Sequence, residues 1–216
     1  MTRAYLSTAR QAKAQETRAR IVETAATMLL RDGLAAMTIA DLAREAGVSP
    51  QTVYNSVGGK AEVVKAAYDV RLAGDHEAVP MLERPAYLAV RAATDAASYA
   101  AAYAHWSADI SDRVGKLLGV LLFHGTAGDP MLEEFVATIN TERRTGNAMG
   151  LRSLVDRGVL ADGAGFERVV DEVWVLTSPE NWHRLVQGRG WTRAAYEDWL
   201  ARHLHLAVTT AAAGTS

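Results

Sequence analysis

The chain of 216 residues contains no cysteine. Disulfide scaffolds, thiol nucleophiles, Cys-ligated zinc and iron–sulfur clusters are thereby excluded, and a reducing compartment is permitted. Long apolar runs are missing as well. Stretches free of Asp, Glu, Lys and Arg, such as Ala96–Ala108 and Leu117–Gly128, fall short of the ~20 apolar residues that a bilayer-spanning helix needs. An export signal is also lacking, because Arg3, Arg10, Lys13, Arg18 and Arg20 stand against Glu16 alone with no apolar segment among them. The expectation is a cytoplasmic protein with no membrane partner. Proline is scarce at five residues, and hardly any window alternates apolar and polar positions as a half-buried strand does. With 49% apolar and 22% charged residues, disorder and fibrous repeats are excluded, and the length suits one or two domains.

What the chain has in abundance is alanine, forty of them, together with apolar residues at helical spacing. The expected fold class is all-α, with about nine helices. The net charge of −2 conceals a split: residues 1–71 hold ten Lys/Arg against seven Asp/Glu, and residues 72–216 hold thirteen against eighteen. The basic excess lies at the very front, in a short arm that suits phosphate contact and equally suits a frayed, solvated terminus.

Ile21, Ala25, Met28 and Leu29 mark a helix over residues 12–32, and Gly33 stands at its C-cap position. Thr38 caps a short second helix through Leu42 and Ala46, with Asp41 three residues on as in a capping box. Ser49-Pro50 starts a third helix, Gly58-Gly59 ends it, and Lys60 opens a fourth that fades near Gly74. Further on, 86–104 reads as one closely packed alanine-rich helix, 105–123 as another, and 130–157 as a long one introduced by Asp129-Pro130. Ser178-Pro179 marks a restart or a kink, and Thr192 caps the last helix. The expected division is a flexible basic arm over 1–9, a helix-turn-helix domain over 10–74, a second helical domain over 75–208 and a flexible tail over 209–216.

The strongest motif runs from Thr38 to Asn55, two short helices joined through Gly47-Val48-Ser49. Two helices at this spacing, joined by a short turn containing glycine, have helix-turn-helix geometry. Ala43 is small where the helices cross, Gly47 permits the sharp turn, and Val48 and Val53 hold the second helix off the domain surface. The first residues of that helix, Gln51 and Thr52 after Ser49-Pro50, then reach base edges or phosphates, with Gln51 as the expected base reader. The competing reading is a plain helical hairpin; both N-caps and the upstream basic arm favour the DNA-binding one.

Residues 21–59 resemble the N-terminal domain of the TetR family of transcriptional repressors at Ile21, Ala25, Gly33, Thr38, Ala43, Ala46-Gly47-Val48-Ser49, Thr52-Val53-Tyr54 and, just beyond, Lys60. The resemblance implies phosphate contacts at Thr38, Thr52, Tyr54 and Lys60. Asn55 and Val57 stand where the family usually has His and Phe; Asn55 keeps a donor, and Val57 leaves a smaller plug in that corner. The segments 174–180 and 189–200 are similar to one branch of the same family. By resemblance the middle helices enclose an effector pocket and the last two pair with a second subunit, so the implied partners are a palindromic DNA operator, a small, largely apolar effector and a second copy of the chain. Tyr99, Tyr103, Trp106, Phe123, His124, Met149 and Trp174 are the candidate pocket residues. Phe166, Val170, Trp174, Tyr196, Trp199 and His203 are the candidate dimer contacts, although ordinary core packing accounts for the same stripes.

Catalysis is the rival. Glu180-Asn-Trp-His183 offers half of a di-iron carboxylate site, but no second such pair exists in the sequence. His203 and His205, two apart on a helix, face different directions, and Gly58-Gly59-Lys60 lacks both the upstream glycine of a P-loop and a preceding strand. No enzyme activity, catalytic residue, metal or cofactor is expected. A helix-turn-helix protein that binds DNA constitutively and senses nothing remains the second alternative.

Overall fold

The computed structural model describes residues 3–74, 79–123 and 128–213, and these are helical without strands. The chain divides into two compact units, Met1–His76 with Val120–Phe135, and Glu77–Gly119 with Val136–Ser216. The first holds α1 (Arg3–Asp32), α2 (Ile39–Glu45), α3 (Pro50–Ser56) and α4 (Lys60–Ala73). α1 packs on α2, α3 and α4. It buries Ile21, Val22, Ala25, Ala26, Met28 and Leu29, the face set by the spacing of those residues. Tyr68 of α4 meets the ring of Phe135 edge-on at a centroid distance of 5.4 Å. Phe135 was expected only in the second domain.

α5 (Pro85–Ala92), most of α6 (Ala96–Phe123) and of α7 (Pro130–Val155), α8 (Ala164–Leu176), α9 (Pro179–Trp182) and α10 (Arg193–Ala213) build the second unit. Its core runs from Val90 and Tyr99 through Leu151, Phe166 and Val173 to Tyr196, Leu200 and Val208. After α9 the chain continues as a π-helical turn, His183–Gly188. This turn lies over two glycines of α6. A side-chain carbon at Gly115 would come within 2.7 Å of Trp182, and one at Gly119 within 2.7 Å of His183. His183, read above as half of a metal pair, therefore packs against α6 at Gly119.

Three sequence expectations need correction. The arm over 1–9 is helical from Arg3 onward, because neither glycine nor proline interrupts the chain before Gly33. Likewise the tail is helical as far as Ala213, with no breaker ahead of Gly214. The alanine-rich segment is broken at residues 93–95 and runs unbroken through His105. Asp95 and Ser98 cause the break by capping each other: the Ser98 N–H donates to Asp95 Oδ1 at 2.7 Å, and the Asp95 N–H donates to Ser98 Oγ at 3.2 Å. This reciprocal pair starts α6 afresh. It also holds the Asp95 carboxyl below the usual carboxylate range, chiefly through the bond from the Ser98 backbone.

Candidate nucleic-acid interface

The turn between α2 and α3 is built by backbone bonds alone. Gly47 N–H donates to the Arg44 carbonyl at 3.3 Å and Val48 N–H to the Ala43 carbonyl at 2.9 Å. Gly47 takes the left-handed conformation at φ +66°. This is the pattern that closes a helix with glycine just past its end, and it redirects the chain within three residues. Leu42, Ala43, Ala46 and Val53 are buried beneath the turn.

Each helix of the pair is capped at its start. Thr38 Oγ1 accepts from the Asp41 N–H at 3.1 Å and donates to Asp41 Oδ2 at 2.6 Å. The Thr38 hydroxyl, followed by the Arg44 guanidinium, keeps the Asp41 carboxyl below its ordinary range. Ser49 Oγ accepts from the Thr52 N–H at 3.1 Å and shares a hydrogen bond with Thr52 Oγ1 at 2.8 Å, while Pro50 occupies the first helical position. With Val53 buried, Ser49, Pro50, Gln51, Tyr54 and Asn55 are exposed, and Thr52 and Lys60 are half-buried. Thr38 is exposed at the head of α2. Polar donors thus stand outward on α3 while its aliphatic residue anchors it. Gln51 Nε2 donates to Asn55 Oδ1 at 2.9 Å across one helical turn.

One contact escaped the sequence reading. Arg18 Nη1 of α1 donates to the carbonyl of Ser56 at 2.6 Å. It satisfies an orphan carbonyl at the C-terminal end of α3 and ties that helix to α1. Only the basic character of the N-terminal segment hinted at it.

The candidate pocket residues scatter. Tyr99 and Tyr103 are fully buried, and their rings lie 5.5 Å apart. Trp106 is half-buried, with its ring 5.2 Å from that of Tyr103 and 5.0 Å from that of Tyr87. Burial pushes the phenols of Tyr99 and Tyr103 well above their ordinary range, so both are neutral donors. Tyr103 pairs with the side-chain amide of Asn147, and Tyr87 donates to the Gly146 carbonyl at 2.7 Å. Tyr99 Oη and Trp106 Nε1 have no hydrogen-bond partner among the described residues. Met149 is exposed on α7. Trp174 turns toward α7, donating from Nε1 to the Asn140 carbonyl at 3.2 Å. The side chain of Phe123 and all of His124 lie outside the described residues. Tyr87, Gly146 and Asn147 were missed, since a glycine and an amide inside a helix read as weaknesses rather than as an interior.

Of the candidate dimer contacts, Phe166, Val170 and Tyr196 are buried within the chain itself. They offer no area to a second copy. The outward face of α8 and α10 instead carries Val175 and Leu206, 54% and 61% exposed. Around them a shallow groove includes Leu176, His203 and Ala207. His203 and Trp199 stay half-buried and stack on each other at 4.8 Å, with His203 Nδ1 bonded to the Trp199 carbonyl.

A capped α2 and α3, a glycine turn between them and an outward polar face define a helix-turn-helix domain. Residues 21–67 match the family described as "Bacterial regulatory proteins, tetR family". The chain is 44% identical over 57 residues to the "HTH-type transcriptional regulator TtgR" of Pseudomonas putida. It is equally similar to the "Probable HTH-type transcriptional regulator ArpR" of the same species. These alignments cover 26% of this chain and only 27% of each relative. Over nearly its whole length the fold is similar to a TetR-family transcriptional regulator from Streptomyces coelicolor (TM-score 0.62, 19% identical, covering 94% of this chain and 84% of that one). It is also similar to the SmeT protein of a SmeT–triclosan complex (TM-score 0.63, 20% identical, covering 92% and 91%). Residues 21–67 thus carry the helix-turn-helix domain of that family, and the whole chain shares the fold of these regulators.

Proposed function

We propose that this protein is a cytoplasmic, DNA-binding transcriptional repressor that acts as a dimer on a palindromic operator and is released by a small, largely apolar effector. Residues 10–74 contact the operator, and 75–208 hold the effector and the second subunit. The observation that carries the reading is the outward face of α3, where Gln51, Tyr54 and Asn55 are exposed on a helix anchored by Val53 and capped by Ser49. In a symmetric dimer two such helices enter successive major grooves, ~34–36 Å apart, so the operator is palindromic. The outward face around Val175 and Leu206 is the expected subunit contact, because aliphatic side chains this exposed on neighbouring helices suit a partner surface. Replacing both by Glu should leave a folded monomer by sedimentation velocity; an intact dimer would move the interface elsewhere.

Two features support an effector site in the second unit. Tyr99 Oη and Trp106 Nε1 are buried donors without an acceptor among the described residues, and such groups favour a ligand that brings one. A fold neighbour also binds triclosan, a property of that protein which makes small apolar phenols the first probes to try. The deciding measurement is a thermodynamic cycle. Operator is recovered by selection from randomised duplexes, and its affinity is measured with and without triclosan and related phenols; effector affinity is then measured with and without operator. A coupling of ~1–3 kcal/mol makes each ligand weaken the other by the same 5–150-fold. An effector that binds and leaves operator affinity untouched leaves the constitutive DNA binder standing.

A further inference from the structure

Gln51 and Asn55 lie one turn apart on the exposed face of α3 and are already hydrogen-bonded, Gln51 Nε2 donating to Asn55 Oδ1 at 2.9 Å. By resemblance Asn55 stands where the family usually has a histidine, and as a donor it could take the role of a phosphate contact. A phosphate only accepts hydrogen bonds, so that role would use the Nδ2 group of Asn55 and would have no need of its oxygen. Yet the oxygen is what the structure puts to use. Accepting from Gln51 spends one N–H of the glutamine amide and fixes the plane of that amide, including which side carries oxygen and which nitrogen. What remains free on Gln51 is one acceptor, Oε1, beside one donor, the second N–H. Among the base edges in the major groove, adenine alone presents a donor and an acceptor side by side on one base, N6–H and N7, the pattern an amide matches with two bonds. Cytosine offers a donor without a neighbouring acceptor on the same base, while guanine and thymine offer no donor there.

We infer that Asn55 is a positioning residue that holds the Gln51 amide ready to read an adenine in each operator half-site, an assignment that rests on the DNA-binding reading above. The neighbouring hydroxyl does not compete for this task, since Thr52 Oγ1 is bonded to Ser49 at 2.8 Å. Neither variant threatens the fold, because both side chains are exposed.

The test compares base preference, not affinity alone. Operators are selected from randomised duplexes with the wild-type protein, and each half-site position is then substituted in turn and measured by fluorescence anisotropy. Wild type should prefer adenine at one half-site position by roughly 5–150-fold, and Gln51→Ala should abolish that preference. Asn55→Ala should cut it by roughly 2–12-fold, the worth of immobilising one flexible side chain before binding. Asn55→Asp keeps the acceptor and loses the donor, so it should retain the preference while its added charge weakens binding to every sequence alike. If Asn55→Ala weakens all sequences equally and leaves the preference intact, Asn55 is a phosphate contact and the assignment is overturned. If Asn55→Asp loses the preference as Asn55→Ala does, the Nδ2 donor is what matters, and the assignment is again overturned. A selection that yields an operator without the adenine overturns the pair alone; one that yields no operator overturns the DNA-binding reading as well.

Discussion

The two units place their polar groups oppositely. In the first, Ser49, Gln51, Tyr54 and Asn55 stand in solvent over a mainly aliphatic core in which Tyr68 is the buried phenol. In the second, Ser107, Ser111, Asn147, Ser153 and Thr177 are buried, and Tyr87 and Tyr103 reach into the interior. Glycine is put to two uses. Gly33 and Gly47 serve the backbone, with positive φ and open space around them, as Gly158 and Gly190 do in the second unit, whereas Gly115 and Gly119 of that unit lie inside a helix and make room for a neighbour's ring. Polar groups that face solvent need only a firm support. Polar groups placed in an interior must be matched or they cost stability.

The largest expected effect tests whether the second unit depends on its polar interior. Tyr103→Ala removes a fully buried ring and strands the Asn147 amide, so it should lower stability by about 3–5 kcal/mol in urea unfolding. Tyr103→Phe keeps the ring and should still cost about 1–3 kcal/mol, because the amide is left without its partner. A cost near zero for Tyr103→Phe would erase the contrast between the units. Next comes the glycine contrast. Gly115→Ala and Trp182→Ala should show a coupling of about 0.5–3 kcal/mol in a double-mutant cycle, since shrinking the indole makes room for the methyl. Gly47→Ala should be insensitive to any neighbouring truncation, its cost being backbone strain alone. In the first unit, Ser49→Ala should cost ~1 kcal/mol through loss of the bond to the Thr52 N–H. It should also weaken DNA binding on all sequences, because the cap orients α3.

The same division decides what could be read from the sequence. The caps Thr38, Ser49-Pro50 and Thr192 and the turn at Gly47 were legible because capping and turn chemistry act between residues one to four apart. The interior of the second unit was not, because Tyr103 meets Asn147 across 44 positions and Tyr87 meets Gly146 across 59. No local pattern marks such pairs. The break at Asp95 had a local signal, a reciprocal Asp–Ser cap, obscured by ten alanines in the nineteen residues of 86–104. Phe166, Val170 and Tyr196 show the complementary failure. An apolar stripe says that a face is covered, and only the packing says whether the cover is the same chain.

The smallest expected effect is electrostatic and confined to the first unit. Arg31, at the end of α1, grips Asp32 at 2.8 and 2.6 Å and Glu45 of α2 at 3.0 Å through both oxygens. The hydrogen bond from Arg31 is the chief cause that holds both carboxyls below their ordinary values of 3.8 and 4.5. A carboxyl whose value is lower in the folded state binds its proton more readily when unfolded. Its contribution is therefore complete above the unfolded value and disappears as pH falls through the folded one. Arg31→Met should accordingly destabilise the protein at neutral pH, and the gap to wild type should close as the pH falls below the ordinary carboxylate range. Because all three groups are exposed, added salt should narrow the gap as well. Asp95 contributes its own acid sensitivity in the second unit, so the difference between wild type and variant, not the acid limb of either, isolates the clamp. A gap that persists at low pH would mean that Arg31 acts through the packing of its aliphatic stem, which would give the first unit a structural contribution from a surface side chain and soften the contrast with the second.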